Sequence, residues 1–320
     1  MPPLRVLVTR RLPGIALSML EGRFHVDLQR SDRSLTTGEL RLRIRKAHGL
    51  LCLPSDRVDR SVLEAAPLLR AIANCAVGVD NIDLDEARRR GIGVTNTPGV
   101  LTAATADLTW ALILAVTRRV VEGDRLVRAG NFAGWSPTLL LGRSLEGKVL
   151  GVVGMGRIGR AVAKRARAFS MEVVYFSRTR LRRQEETVLG AHYLPLKRLL
   201  ITADVLTLHL PRTPQTKELL GFQELARMKH GAFLINTSRG DIVHEPALIG
   251  ALRSGRLAGA GLDVYAREPK VPARLRRMKQ VVLLPHIGSA TLETREAMAT
   301  TAARNLIAML ERKASPNQVA

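Results

Sequence analysis

Short apolar runs alternate along the chain with segments whose apolar residues recur every three or four positions. In the first hundred residues the runs are Arg5–Val8, Gly49–Leu53 and Arg70–Ala73, and Leu12 to Leu20 and Val62 to Leu69 carry helical spacing between them. Such a run has no polar face to offer water, so it predicts a strand covered on both sides, as in a parallel sheet. A longer segment, Ala103 to Val121, predicts a helix with Thr102 as its cap. The stretch from Gly130 to Pro137 breaks the pattern and predicts a loop. A second strand–helix series follows, with runs at Lys148–Val153, Glu172–Phe176, Val205–Leu208, Ala232–Ile235, Gly259–Leu262 and Val281–Leu284. An amphipathic helix from Thr291 to Leu310 comes last, and neither a solenoid-length repeat nor a low-complexity tract interrupts the series. The pattern predicts two α/β domains.

Length agrees, because 320 residues suffice for two domains that each bury a core. With 46% hydrophobic and 24% charged residues, a folded chain is expected rather than a disordered one. No apolar run approaches the ~18–20 residues of a membrane span, so no membrane partner is expected. Met1 to Thr9 reads as a first strand rather than a secretory leader. Cys52 and Cys75 lie in apolar runs without metal-ligand spacing; buried thiols in a cytoplasmic protein are expected, with no metal. Fifty Lys+Arg against 28 Asp+Glu leave a net charge of +22. The basic residues are spread along the chain, for example at Arg41, Arg43 and Arg45, Arg88 to Arg90, and Arg274, Arg276 and Arg277. No nucleic-acid motif accompanies them, and six Phe, two Trp and three Tyr are few for stacking on bases. A surface excess with no specific nucleic-acid partner is therefore expected; it would still attract small anions.

Gly154, Gly156 and Gly159 form G-x-G-x-x-G between a predicted strand and the predicted helix Arg157–Phe169. This context gives the glycines their jobs: a tight turn, close approach to a pyrophosphate, and tight helix–sheet packing, with the helix N-terminus facing negative charge. The loop residues Met155, Arg157 and Ile158 join the predicted cofactor site. An NAD site would carry an acidic residue after the next strand, to accept from the ribose 2′-hydroxyl. Here that strand ends in Ser177, Arg178, Thr179 and Arg180. Hydroxyl and guanidinium donors with no carboxylate suit a 2′-phosphate, so NADP is expected in preference to NAD.

Three isolated polar residues lie past later predicted strands: Arg239, Glu268 and His286. A cation, a carboxylate and an imidazole at strand carboxyl ends suit reduction of an anionic carbonyl compound. Around them the sequence resembles the D-isomer-specific 2-hydroxyacid dehydrogenase family, the glyoxylate/hydroxypyruvate reductase branch above all. The resemblance rests on Asn74–Asp83, Asn96–Leu101, Ser177–Thr179, Asn236–Gly240, Gly259–Pro269 and Pro285–Ala290, in the family's order and over almost the whole chain.

The resemblance implies that His286 is the acid/base, that Glu268 holds its ring and favours its protonated form, and that Arg239 binds and polarises the 2-oxo acid. Each residue type fits its task, since hydride arrival leaves an alkoxide that needs a proton and a nearby cation. It further implies that backbone amides at Val77 and Gly78, with Val79 beside them, receive the substrate carboxylate. Asp263, Thr237, Ser238, Thr105, Pro211 and Gly288 would line the cofactor, although Asp263 could equally cap a turn. His209 is read as structural or cofactor-lining. Trp135 lies in a loop that resembles a dimer-facing one, and either reaches a partner subunit or packs into the core. The chain stops soon after its last helix, unlike a multidomain phosphoglycerate dehydrogenase, and Glu268 stands where formate dehydrogenases place glutamine.

The expectation is thus a cytoplasmic, homodimeric, NADPH-preferring reductase of small 2-oxo acids such as glyoxylate and hydroxypyruvate. Its fold class is α/β, with two doubly wound parallel-sheet domains. A Rossmann nucleotide-binding domain (100–287) is inserted into a flavodoxin-like substrate domain (1–99 plus 288–320). Two rival readings stay open here: an NAD-dependent D-2-hydroxyacid dehydrogenase of another substrate, and a dinucleotide-sensing protein similar to the family's co-repressors.

Overall fold

The computed structural model describes residues 3–320. The chain divides into two compact units, one running to Leu101 and joined by Ser289–Ala320, the other Thr102–Gly288.

The first unit alternates β1 (Arg5–Val8), α1 (Ala16–Glu21), β2 (His25–Leu28), α2 (Thr37–Ile44), β3 (Gly49–Cys52), α3 (Arg60–Glu64), β4 (Ala71–Asn74), α4 (Leu84–Arg89) and β5 (Gly93–Thr95). Its sheet has the order β2-β1-β3-β4-β5 with every pair parallel, the flavodoxin-like arrangement. The apolar runs are its central strands, and Val6, Leu50, Leu51 and Ile72 are fully buried. The edge strands β2 and β5 lie outside the predicted runs. β2 is nowhere fully buried and carries His25 and Asp27, and β5 is only three residues long. Helix starts follow local chemistry, with Asp59 and Asp83 accepting from the backbone N–H of Val62 and Glu86.

The second unit opens with α5 (Thr102–Thr117) and α6 (Val120–Arg128). It continues through β6 (Val149–Val153), α7 (Arg157–Ala166), β7 (Glu172–Phe176), α8 (Arg183–Leu189), β8 (Ala191–Tyr193) and α9 (Leu196–Thr202). Then come β9 (Val205–Leu208), α10 (Phe222–Arg227), β10 (Ala232–Asn236), α11 (Glu245–Arg253), β11 (Leu257–Leu262), α12 (Ala273–Arg276) and β12 (Val281–Leu283). The last helix, α13 (Leu292–Leu310), belongs to the first unit; Thr291 caps it, accepting from the N–H of Thr294 at 3.2 Å.

Seven parallel strands order as β8-β7-β6-β9-β10-β11-β12, the Rossmann order with one strand added. The sequence pattern predicts six; the short edge strand β8, with exposed His192 at its centre, escapes it. Alternation within the apolar runs serves two cores. Leu150 and Val152 face one cluster with α5 and α7 residues, whereas Val153, Leu206 and Leu208 face another with α9 to α11.

The single helix expected over Ala103–Val121 is two helices. Arg119 is left-handed (φ 55°), and the N–H of Arg143 donates at 2.8 Å to the Thr117 carbonyl that the break exposes. Apolar periodicity runs through this break, so it leaves no mark in the sequence.

Candidate active site

In the second unit the loops after β6, β7, β9, β10, β11 and β12 all leave the carboxyl ends of parallel strands. The loop after β6 is shaped by its glycines. A Cβ on Gly154, whose φ is +98°, would lie 2.3 Å from the carbonyl oxygen of His209, and one on Gly159 would lie 2.1 Å from that of Gly154. Gly156, by contrast, has open space beside it and precedes a ten-residue helix whose N-terminus has no side-chain cap. A bare backbone approach to an uncapped helix N-terminus fits a dinucleotide pyrophosphate. Of the intervening residues, Met155 buries its side chain in the core and leaves its main chain to the loop. Ile158 packs against that core, and Arg157 is exposed.

After β7 the structure separates two arginines that look alike in sequence. Arg180 donates twice to Glu186, at 2.9 and 3.0 Å, and lies over the Tyr193 ring at 5.5 Å. Glu186 also accepts from the Tyr175 hydroxyl at 2.7 Å, and the bonds from Arg180 and Tyr175 hold its pKa down at about 2. Arg178 and Thr179 are exposed and Ser177 half-buried, and Arg178 makes no hydrogen bond or ion pair among the described residues. After β9, His209 shares a hydrogen bond with the Thr207 hydroxyl at 2.9 Å. Loss of solvent around its ring pushes its pKa down to about 3, so it is a neutral imidazole at neutral pH and no proton donor. The Pro211 carbonyl accepts from the Thr216 hydroxyl at 2.7 Å, which pins the start of that loop.

The remaining loops interlock. Asn236, at the end of β10, accepts from the N–H and hydroxyl of Ser238 at 3.0 and 2.9 Å and donates to the Arg239 carbonyl at 2.8 Å. The Thr237 hydroxyl is buried 2.9 Å from that of Thr109 on α5. Arg239 then extends from this stapled turn, its Nη1 donating to the Ser238 carbonyl at 2.9 Å. Next to it, a Cβ on Gly240 would lie 1.9 Å from the Tyr265 carbonyl carbon, so only glycine lets the two loops pass. The Tyr265 hydroxyl donates to the Leu284 carbonyl at 2.8 Å, joining the loop after β11 to the end of β12.

Glu268 faces two ways: Oε1 accepts from the N–H of Tyr265 at 3.0 Å, and Oε2 is 2.8 Å from Nδ1 of His286. Burial works to raise the carboxyl's pKa. The hydrogen bond from His286, its charge, the Tyr265 N–H and the more distant charge of Arg239 together outweigh it, so the net shift is downward. His286 is left-handed (φ 57°), a costly conformation for a non-glycine residue. Asp263 holds that turn. Its buried carboxylate accepts from the N–H groups of Ile287 and Gly288, both at 2.7 Å. Burial raises the Asp263 pKa and the two backbone bonds oppose the rise. Thr105 meets the same point, since a Cβ on Gly288 would lie 3.2 Å from Asp263 Oδ2 and 3.6 Å from the Thr105 hydroxyl.

The second unit thus brings together Arg239, Glu268 and His286 with Thr105, Asp263 and Gly288, while Val77 and Gly78 belong to the first unit. Sequence reasoning does not single out Asn236 or Tyr265. The signals were present: an Asx residue at a strand end, and an aromatic residue in a chain poor in them.

Residues 110–288 match the D-isomer-specific 2-hydroxyacid dehydrogenase NAD-binding domain. The glyoxylate reductase of Thermococcus litoralis is 49% identical over 98% of this chain and 96% of its own, and that of Pyrococcus furiosus is 46% identical over 98% and 95%. A crystal structure of a Thermus thermophilus protein superposes with a TM-score of 0.93 at 51% identity, covering 99% of this chain and all of that one. The NADPH-dependent glyoxylate/hydroxypyruvate reductase of Sinorhizobium meliloti, solved with NADP and malonate, gives 0.89 at 34% identity over 99% and 97%. The chain therefore belongs to the D-isomer-specific 2-hydroxyacid dehydrogenase family and is an NAD(P)-dependent oxidoreductase. Within that family its full-length likeness is to the glyoxylate reductase branch.

Proposed function

We propose that the protein reduces small 2-oxo acids, glyoxylate and hydroxypyruvate first among them, with NADPH preferred over NADH. The observation that carries this reading is the 2.8 Å contact between His286 and Glu268 on a loop interlocked with the one bearing Arg239. Bound dihydronicotinamide supplies the hydride. Because Nδ1 of His286 is committed to Glu268, Nε2 is the nitrogen that protonates the carbonyl oxygen as it becomes an alkoxide. The Glu268 carboxylate, 2.8 Å from Nδ1, fixes the orientation of the ring for this step. Arg239 stabilises the developing oxygen charge, and the amides of the Val77–Val79 turn receive the carboxylate. Asp263 keeps two roles in this reading. Its oxygens accept backbone bonds that hold the His286 turn, and their remaining lone pairs are available to the nicotinamide carboxamide.

The NADPH preference is supported by unpaired Arg178 beside Ser177, with no carboxylate to repel a 2′-phosphate, and by the NADP complex of the Sinorhizobium relative. A homodimer is also part of the proposal. α6 buries none of its residues, and Val127, Phe132, Trp135 and Leu141 are exposed on it and the loop that follows, Trp135 by 84%. An apolar patch of that kind marks an interface, and it argues against Trp135 as core packing. Buried thiols at Cys52 and Cys75 suit a cytoplasmic setting. Steady-state reduction of glyoxylate and hydroxypyruvate with each cofactor tests the reading. Turnover with neither acid would overturn it.

A further inference from the structure

The turn after β4 is held by side chains that the reaction itself does not use. Asn74, fully buried, donates through Nδ2 to the Gly78 carbonyl at 2.8 Å and to Asn81 Oδ1 at 3.0 Å. Asn81 is anchored in turn, donating to the carbonyls of Leu53 and Asp56 at 3.0 and 3.1 Å. On the other side of the turn, Asn96 Nδ2 donates to the Val77 carbonyl at 2.8 Å. Asn96 is itself gripped through its backbone. Its N–H donates to the Asn317 carbonyl at 3.2 Å, and its carbonyl accepts from Asn305 Nδ2 at 2.9 Å. Asn305 Oδ1 also accepts from Asn317 Nδ2 at 3.1 Å, so α13 and the segment after it converge on Asn96.

A trans peptide sets its C=O and N–H on opposite sides. Pulling the Val77 carbonyl toward Asn96 therefore turns the Gly78 N–H away from it, and pulling the Gly78 carbonyl toward Asn74 does the same for the Val79 N–H. Neither N–H has an acceptor among the described residues. Adjacent amides held outward in this way make a receptor for an anionic oxygen.

We infer that Asn96 and Asn74 are positioning residues, which fix the Val77–Val79 turn with its amide donors presented to the substrate carboxylate. The inference rests on the proposed reduction of 2-oxo acids. It assigns a task to Asn96, in the Asn96–Leu101 block, that the catalytic residues leave unexplained.

The test compares glyoxylate with glycolaldehyde, which keeps the reacting carbonyl and lacks the carboxylate, in the full-length protein. Asn96→Asp replaces the donor with a carboxylate facing the Val77 carbonyl. It should raise the KM for glyoxylate about tenfold, narrow the preference for glyoxylate over glycolaldehyde by a similar factor, and leave the NADPH Kd within about twofold. Asn96→Ala, which deletes the donor without adding charge, should move both in the same direction by less, and serves if the aspartate variant folds poorly. A glyoxylate KM and preference unchanged in both variants would overturn the positioning role. Wild-type enzyme that reduces glycolaldehyde as well as glyoxylate would overturn the carboxylate reading beneath it, whatever the variants do.

Discussion

Nδ1 of His286 lies 2.8 Å from Oε2 of Glu268, and this contact decides which ring nitrogen is left to exchange a proton. The arrangement depends on strain held locally, because His286 is left-handed and the Asp263 carboxylate fastens the two amides that follow it. His286→Ala should leave cofactor binding nearly intact and lower kcat for glyoxylate reduction by roughly 10²–10⁴-fold. Turnover within about threefold of wild type would remove His286 from the proton-transfer step.

Glu268 links the same contact to pH. Its folded pKa lies below its unfolded value, so its contribution to stability is complete above about pH 4.5 and disappears as pH falls through the folded value. The thermal midpoint of wild type should accordingly exceed that of Glu268→Gln near pH 5–6, and the gap should narrow as pH falls below the ordinary carboxylate range. Equal thermal midpoints for the two proteins across that pH range would mean that the Glu268 carboxylate adds no net stability.

Cofactor choice separates Arg178 from Arg180. A charge-assisted bond to a 2′-phosphate is worth about 1.5–3 kcal/mol, which corresponds to roughly 10- to 150-fold in affinity. Arg178→Ala should raise the KM for NADPH within that range and leave NADH turnover unchanged, since the phosphate contributes uniform binding. Arg180→Ala should do far less to NADPH, because its guanidinium is already spent on Glu186 and Tyr193. Equal effects of the two substitutions would show that the Glu186 pairing does not hold in solution.

Asp263→Ala should destabilise the fold by about 2–4 kcal/mol, because it strands the amide donors of half-buried Ile287 and buried Gly288. Denaturant unfolding measures this directly. A loss under about 0.5 kcal/mol would mean that the turn holds itself.

The exposed patch on α6 and its following loop predicts self-association. Trp135→Glu should shift the sedimentation mass toward that of one chain, 35.1 kDa. A wild-type protein that already sediments as a monomer at micromolar concentration would refute the dimer.

Much of the architecture was legible in the chain because its signals are local. A buried parallel strand must be a continuous apolar run, so the central strands and both cores follow from hydrophobicity alone. Gly154, Gly156 and Gly159 announce a phosphate-binding turn because a strand precedes them and a helix follows. Arg239, Glu268 and His286 were readable as isolated polar residues beyond strand ends, each inside a block that resembles the family. The edge strands β2, β5 and β8 were not, since a short, half-exposed strand has no distinctive pattern until its neighbour is in place.

The allotment of equivalent residues among long-range partners is set at the tertiary level. Arg178 and Arg180 are chemically identical. Arg180 is occupied because Glu186 and Tyr193 come to it from later elements, whereas Arg178 is not. Asp263 could cap its own turn or reach elsewhere, and it fastens Ile287 and Gly288 instead because β11 and β12 are hydrogen-bonded neighbours. The Thr117 carbonyl that the helix break at Arg119 frees is met by the N–H of Arg143, more than twenty residues on. A residue's type and its near neighbours set what it can do. Which donor or acceptor it meets depends on how distant strands and loops are brought side by side, and that is settled only when the sheet closes.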